Sequence, residues 1–162
     1  MEDRLAELKH RLLEINDLSS AKALLGWDQA TYMPPRGAAA RGRQMATLGR
    51  IAHEKFTDPA IGRLLDDLQR YEEGLPYDSD EAGLIRVTRR EYQKAVSVPP
   101  TLVAELNAHA AASYQVWTVA RPANDFARVQ PYLEKTLELR RRYADFFPGY
   151  IHIADPLIDT AD

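Results

Sequence analysis

Leu5-Ala6-Glu7-Leu8-Lys9-His10-Arg11-Leu12-Leu13-Glu14-Ile15-Asn16-Asp17-Leu18 is the stretch that decides the fold. Leu5, Leu8, Leu12, Ile15 and Leu18 step by three, four, three and three residues, which draws one apolar stripe along a helix. Asp17-Leu18-Ser19-Ser20 offers cap chemistry, so a break or bend is expected there, with a second helix over residues 21–30. Pro34-Pro35 ends it, because a residue before proline is pushed out of the α region.

The same period continues downstream. Ala38-Ala39-Ala40 opens a helix with Met45, Leu48, Ile51 and Ala52 as its apolar face. Asp58 then reads as an N-cap with Pro59 at the first helical position, followed by Ile61, Leu64, Leu65 and Leu68 on one face. Residues 74–80 form the clearest loop, and a helix follows from about Glu81 to Ala95. Val98-Pro99-Pro100 breaks the chain again before a long helix carrying Leu102, Leu106, Tyr114 and Trp117. Asn124-Asp125 caps the last long helix, which Pro148-Gly149 stops. Residues 150–154 alternate enough for a short strand or extended segment. The pattern is all-α: an elongated, antiparallel bundle of about six or seven helices with a short extended tail, read as one domain over residues 1–162.

Composition narrows the class. With 162 residues, 45% hydrophobic and 28% charged, the chain can bury a core and is not a disordered polymer. A net charge of −3 gives no reason to expect nucleic acid or an acidic membrane surface. No cysteine is present, which excludes a disulfide scaffold, a thiolate nucleophile and a Cys-ligated metal. Met1 leads straight into Glu2-Asp3-Arg4 with no apolar segment behind it, and no apolar run approaches the ~20 residues of a membrane span. A cytoplasmic location is expected.

Candidate chemistry is sparse. A helical zinc site needs two histidines at i and i+4 with Glu after the first, so that both rings share a face. His53-Glu54 is followed by Thr57 at the required position, and His109 by Ser113, so neither His10, His53, His109 nor His152 completes the pattern. His53 reads instead as a histidine in a last helical turn, where the macrodipole favours it. No serine lies in a nucleophile elbow and no Gly-rich phosphate loop exists. No residue of this stretch is assigned a catalytic or metal-binding role. The cluster Trp27-Asp28-Gln29 combines a large ring, two acceptor oxygens and a mixed donor–acceptor amide, and near a helix end it could line a groove. The structural alternative has Trp27 anchoring the core while Asp28 pairs with Arg41 or Arg43.

An ordered set of short motifs resembles the opening of the thermostable carboxypeptidase family. It comprises Leu24-Leu25-Gly26-Trp27-Asp28-Gln29, Met33-Pro34, Arg41 with Gln44, and His53-Glu54. Arg90-Glu91-Tyr92, Val98-Pro99, Trp117-Thr118-Val119-Ala120-Arg121, Asn124-Asp125-Phe126, Pro131-Tyr132-Leu133 and Asp155-Pro156-Leu157-Ile158-Asp159 are similar to its later segments. The resemblance implies a helical fold with a long groove, one wall of which these helices form, and places Trp27, Asp28, Gln29, Met33, Arg41 and Gln44 as candidates to line it. It implies a homodimeric enzyme that trims peptide or protein C-termini with zinc or another divalent metal. The H-E-x-x-H helix that holds that metal has no counterpart here. This chain, ending at Thr160-Ala161-Asp162 as a truncated piece or a short gene product, is therefore expected to bind no metal and to be inactive without a C-terminal catalytic portion. The alternative is a free-standing helical interaction module derived from that fold.

Overall fold

The structure is a computed structural model and describes residues 2–159. Helices dominate: α1 (Glu2–Thr31), α2 (Ala38–Phe56), α3 (Pro59–Glu73), α4 (Asp80–Ser97), α5 (Pro100–Ala120), α6 (Phe126–Ala144) and the short α7 (Asp155–Asp159). Two compact units divide between Ala95 and Val96, in the last turn of α4.

The first unit is organised by α1. Its 30 residues make a rod about 45 Å long. No break occurs at Asp17–Ser20, where cap chemistry predicts one. The side chains of Asp17, Ser19 and Ser20 point to solvent, where such residues cost a helix only ~0.5 kcal/mol each. Against that small cost, α2 runs antiparallel along α1: Lys55 Nζ donates to Glu14 Oε2 at 2.9 Å, and a Cβ on Gly49 would lie 3.2 Å from Lys22 Nζ. Cross-helix packing of that kind keeps the rod whole. The hydrogen bond from Lys55, with its charge, holds the Glu14 carboxyl below its ordinary value.

Leu5 and Leu8, the front of the stripe, close a core with Ile61, Leu64, Leu65, Leu68 and Ile85. Leu12, Ile15, Phe56, Tyr71 and Tyr92 pack around it. The cap at α3 is as the sequence indicates: Asp58 Oδ1 accepts from Ala60 N at 2.8 Å, and Pro59 occupies the first turn. Around the core runs a polar belt. Tyr71 Oη donates to Glu81 Oε2 at 2.7 Å and Lys9 Nζ donates to Glu81 Oε1 at 3.0 Å, tying α1, α3 and α4 together. These hydrogen bonds, Tyr71 first, hold the Glu81 carboxyl low, and the same bond raises the Tyr71 phenol.

The second unit is built on an antiparallel hairpin of α5 and α6. Pro100 starts α5 after the extended Pro99, and Val98, Leu102 and Leu139 form the core with Val103, Leu106, Tyr143 and Phe147 around it. The hairpin turns through Asn124, whose φ of 51° suits Asn among non-glycine residues, and Asp125 caps α6 through Arg128 N at 3.1 Å. Glu105 bridges the two helices, 2.9 Å from Arg142 Nη1 and 3.4 Å from Lys135 Nζ. Burial pushes the Glu105 carboxyl up, but the hydrogen bonds from Lys135 and Arg142 outweigh it and leave it low.

The tail differs from the expected strand or extended segment. His152 N donates to Asp155 Oδ2 at 2.9 Å and Ala154 N to His152 Nδ1 at 3.1 Å, so the chain folds into turns and then α7. A strand needs a neighbour to take its backbone groups; the Asp155 carboxylate supplies a local partner instead.

Candidate functional site

The corner where α1 meets α2 holds most of the residues that the sequence singles out. α1 ends at Thr31, and the amides of Tyr32 and Met33 both donate to Asp28 O at 2.9 Å, turning the chain toward Pro34. A 3-10 turn, Pro35–Gly37, follows. Met33 is half-buried beneath it: a Cβ on Gly37 would lie 3.1 Å from Met33 Cγ, so glycine keeps that turn closed.

Arg41 reaches back from the first turns of α2. Its Nη1 is 2.6 Å from Asp28 Oδ2 and donates to Leu25 O at 2.7 Å. The Arg41 side chain is 17% exposed and the Asp28 side chain 36%. Asp28 sits near the negative end of the α1 dipole, where an unpaired carboxylate is disfavoured, and the guanidinium neutralises both. The pairing therefore follows the structural alternative, with Arg41 rather than Arg43. Arg41 Nε is buried with no hydrogen-bond partner.

Trp27 does not anchor the core. It is 57% exposed and meets Tyr32 edge to face, with ring centroids 5.6 Å apart and planes at 60°. The rings stand in solvent at the C-terminal end of α1, far along the helix from Leu5 and Leu8. Gln29 and Gln44 are exposed as well. The corner thus presents an open aromatic pair beside a part-buried ion pair. It can bind and position, but it carries no nucleophile. Tyr32 is the member that sequence reading missed; a Trp and a Tyr five residues apart across a helix end was the available signal.

The histidines are engaged locally. His109 Nε2 lies 3.0 Å from Tyr132 O, 3.0 Å from Thr136 Oγ1 and 3.2 Å from Ser113 Oγ, between α5 and α6. His10 Nε2 is 3.7 Å from Glu14, and His53 occupies the last turn of α2. Among the described residues no three His, Cys, Asp or Glu side chains converge as metal ligands. The donor set needed for a catalytic zinc, three protein ligands around an open position, is not met among the described residues. Among the described residues no helix is long and apolar enough to cross a membrane.

A second open region lies on the second unit. Trp117, Arg121, Phe126, Val129 and Leu133 line a cleft of about 520 Å³ beside the α5–α6 turn. Trp117 and Tyr114 stack at 6.0 Å with exposed rings, so neither is a core residue of this unit.

Comparison with known proteins adds a family. Residues 7–162 match the model for carboxypeptidase Taq (M32) metallopeptidase. Thermostable carboxypeptidase 1 of Thermus thermophilus is 34% identical over 155 residues, covering 88% of this chain and 30% of that protein. The crystal structure of an M32 carboxypeptidase from Deinococcus radiodurans superposes with a TM-score of 0.84 at 37% identity, covering 98% of this chain and 31% of that one. Metallocarboxypeptidase 1 of Trypanosoma cruzi superposes at 0.85 with 26% identity. The chain spans about a third of the length of the relatives it matches.

Proposed function

The chain belongs to the carboxypeptidase Taq (M32) metallopeptidase family, and from that premise we propose that it is the N-terminal helical region of a metal-dependent carboxypeptidase that removes C-terminal residues from peptides. One observation carries this reading: the family match runs from residue 7 to residue 162 and is accompanied by 34% identity to a curated carboxypeptidase.

In this reading the helices shape the substrate groove and do no chemistry alone. The exposed Trp27–Tyr32 pair beside the Asp28–Arg41 ion pair supplies an aromatic shelf with a fixed polar edge, suited to flank a peptide main chain. Met33 beneath the turn and Gln29 and Gln44 on the surface complete the candidate set. A divalent metal, zinc in this reading, would be held by ligands outside this chain and would supply Lewis-acid chemistry there. The intact enzyme acts in the cytoplasm as a homodimer.

The experiment is coexpression of this chain with the part of the Deinococcus radiodurans enzyme outside the matched segment. Two substrates are compared, a peptide with a free C-terminus and its amidated twin, and metal per protein is measured. The chain alone should release nothing and hold no stoichiometric zinc; the pair should trim only the free acid. Turnover or one zinc per chain in the isolated protein would overturn the inactive, metal-free part of the reading. A pair that assembles yet leaves the free acid intact would overturn the peptidase part.

A further inference from the structure

α5 has the composition of an interior helix and the exposure of a surface one. Between Pro100 and Ala120 its only charged residue is Glu105, and five alanines fall between residues 104 and 112. A helix of 21 residues with so little charge and so many apolar side chains is expected to be largely covered. Yet only Leu102 and Ala120 of α5 are buried, both on the side where the unit's own chain returns. Tyr114, Trp117 and Val119 stay open to solvent.

The adjoining face of α6 repeats the pattern. Phe126, Leu133 and Leu137 recur at steps of seven and four, on one face of the helix, and all three are exposed, Phe126 by 65%. Phe126 and Leu133, together with Trp117, border the 520 Å³ cleft beside the turn. A contiguous apolar face of this kind on a soluble domain marks an interaction surface.

We propose that this α5–α6 face is the docking surface for the remaining polypeptide of the peptidase, through an apolar helix edged with carboxylates. The proposal rests on the functional reading above and names the partner it requires. Two observations select that occupant. The relatives carry more than twice as much polypeptide again as this chain spans, so each of them holds a covering element of ample size. The edge of the face is cationic: the Arg121 guanidinium sits 5.7 Å over the Trp117 ring, and Arg140 and Arg141 are exposed on α6. Lys135 and Arg142, by contrast, are already spent on Glu105 and Glu138. A second copy is the poorer occupant, because a twofold contact sets the same patch against itself and would bring Arg121, Arg140 and Arg141 of the two copies together.

Hydroxyl-radical footprinting tests this on the 162-residue chain alone, at two concentrations, and coexpressed with the unmatched part of the Deinococcus radiodurans enzyme. That enzyme's own matched segment serves as positive control. Trp117, Phe126, Leu133 and Leu137 should label strongly and independently of concentration in the isolated chain, and their labelling should fall at least about fivefold in the pair. The doubly substituted chain Phe126→Asp/Leu133→Asp should keep its helical circular dichroism, since both side chains are exposed, and bind the partner at least about tenfold more weakly. Protection that grows with concentration in the isolated chain would assign the face to a second copy and overturn the proposal. Restored peptidase activity with these four residues still labelled would overturn the docking site while leaving the peptidase reading intact. Protection without activity would support the docking site and count against the peptidase reading. A pair that does not form, when the control pair does, overturns the docking proposal.

Discussion

Replacing Arg41 by Met isolates the one ion pair that fastens the α1–α2 corner. Met keeps the volume of the aliphatic stem and removes only the guanidinium. An ion-pair contact at 2.6 Å to Asp28 Oδ2 and a charge-assisted hydrogen bond at 2.7 Å to Leu25 O disappear. A hydrogen bond from a charged group contributes about 1.5–3 kcal/mol and a part-exposed ion pair about 1 kcal/mol, roughly 3 kcal/mol for the two. Removing the orphaned Nε works the other way, returning about 1 kcal/mol of desolvation penalty. The expected net loss is about 2 kcal/mol. Asp28→Asn should cost only about 1 kcal/mol, because Arg41 retains Leu25 O. The double variant should show about 1 kcal/mol of coupling. Urea unfolding followed by Trp27 fluorescence measures all three in a Trp117→Phe background, which leaves one probe and confines it to the first unit. An Arg41→Met loss within 0.5 kcal/mol of zero, or strict additivity of the two single changes, would refute the reasoning, since both would mean the pair is a solvated surface contact.

Other outcomes follow from the core, the glycines and the carboxylates. Leu8 is fully buried, so Leu8→Ala should destabilise the first unit by about 3 kcal/mol in the same urea assay, whereas Leu13→Ala on the exposed side of α1 should change stability by less than about 0.5 kcal/mol. Gly42 and Gly62 both lie in helix interiors, but a Cβ at 42 meets nothing within 4 Å, while one at 62 would stand 2.8 Å from the Tyr92 hydroxyl. Gly42→Ala should therefore raise stability by about 0.5–1 kcal/mol, and Gly62→Ala should lower it, by about 1 kcal/mol or more, with thermal melts as the readout. Glu14, Glu81 and Glu105 all have carboxyls held below the ordinary 4.5 in the folded state. The unfolded chain then binds more protons in acid, so their contribution is present above pH 4.5 and lost as pH falls through the lowered values. The Tm gap between the native protein and Glu81→Gln should stay constant from neutral pH down to about 5 and close below it; a gap that widens on acidification would reverse the assigned sign.

Much of the architecture is legible in residue order because helices are local. The stripe from Leu5 to Leu18, the Asp58-Pro59 start, the Pro99-Pro100 break and the Asp125 cap each specify an element through neighbours within a few positions, and the structure has each of them. The readings that failed are those in which a local preference competes with a distant partner or with a closer one. Asp17–Ser20 could cap a helix end, but α2 lying alongside keeps α1 continuous. Residues 150–154 could extend, but the Asp155 carboxylate captures the His152 amide and the His152 ring captures the Ala154 amide first.

The sequence by itself determined that this protein is helical, where most helices begin and end, which faces of α1 and α3 turn to the core, and which family it resembles, because periodicity, caps and ordered motifs are encoded in short spans. Only the tertiary structure decided which way the equivocal residues face. Arg41 rather than Arg43 meets Asp28, Trp27 stands in solvent instead of the core, and α5, with a single acidic residue and no Lys or Arg, leaves Tyr114, Trp117 and Val119 exposed. Those outcomes depend on how two helices are rotated about their axes when they pack, a quantity that sequence spacing within either helix does not contain.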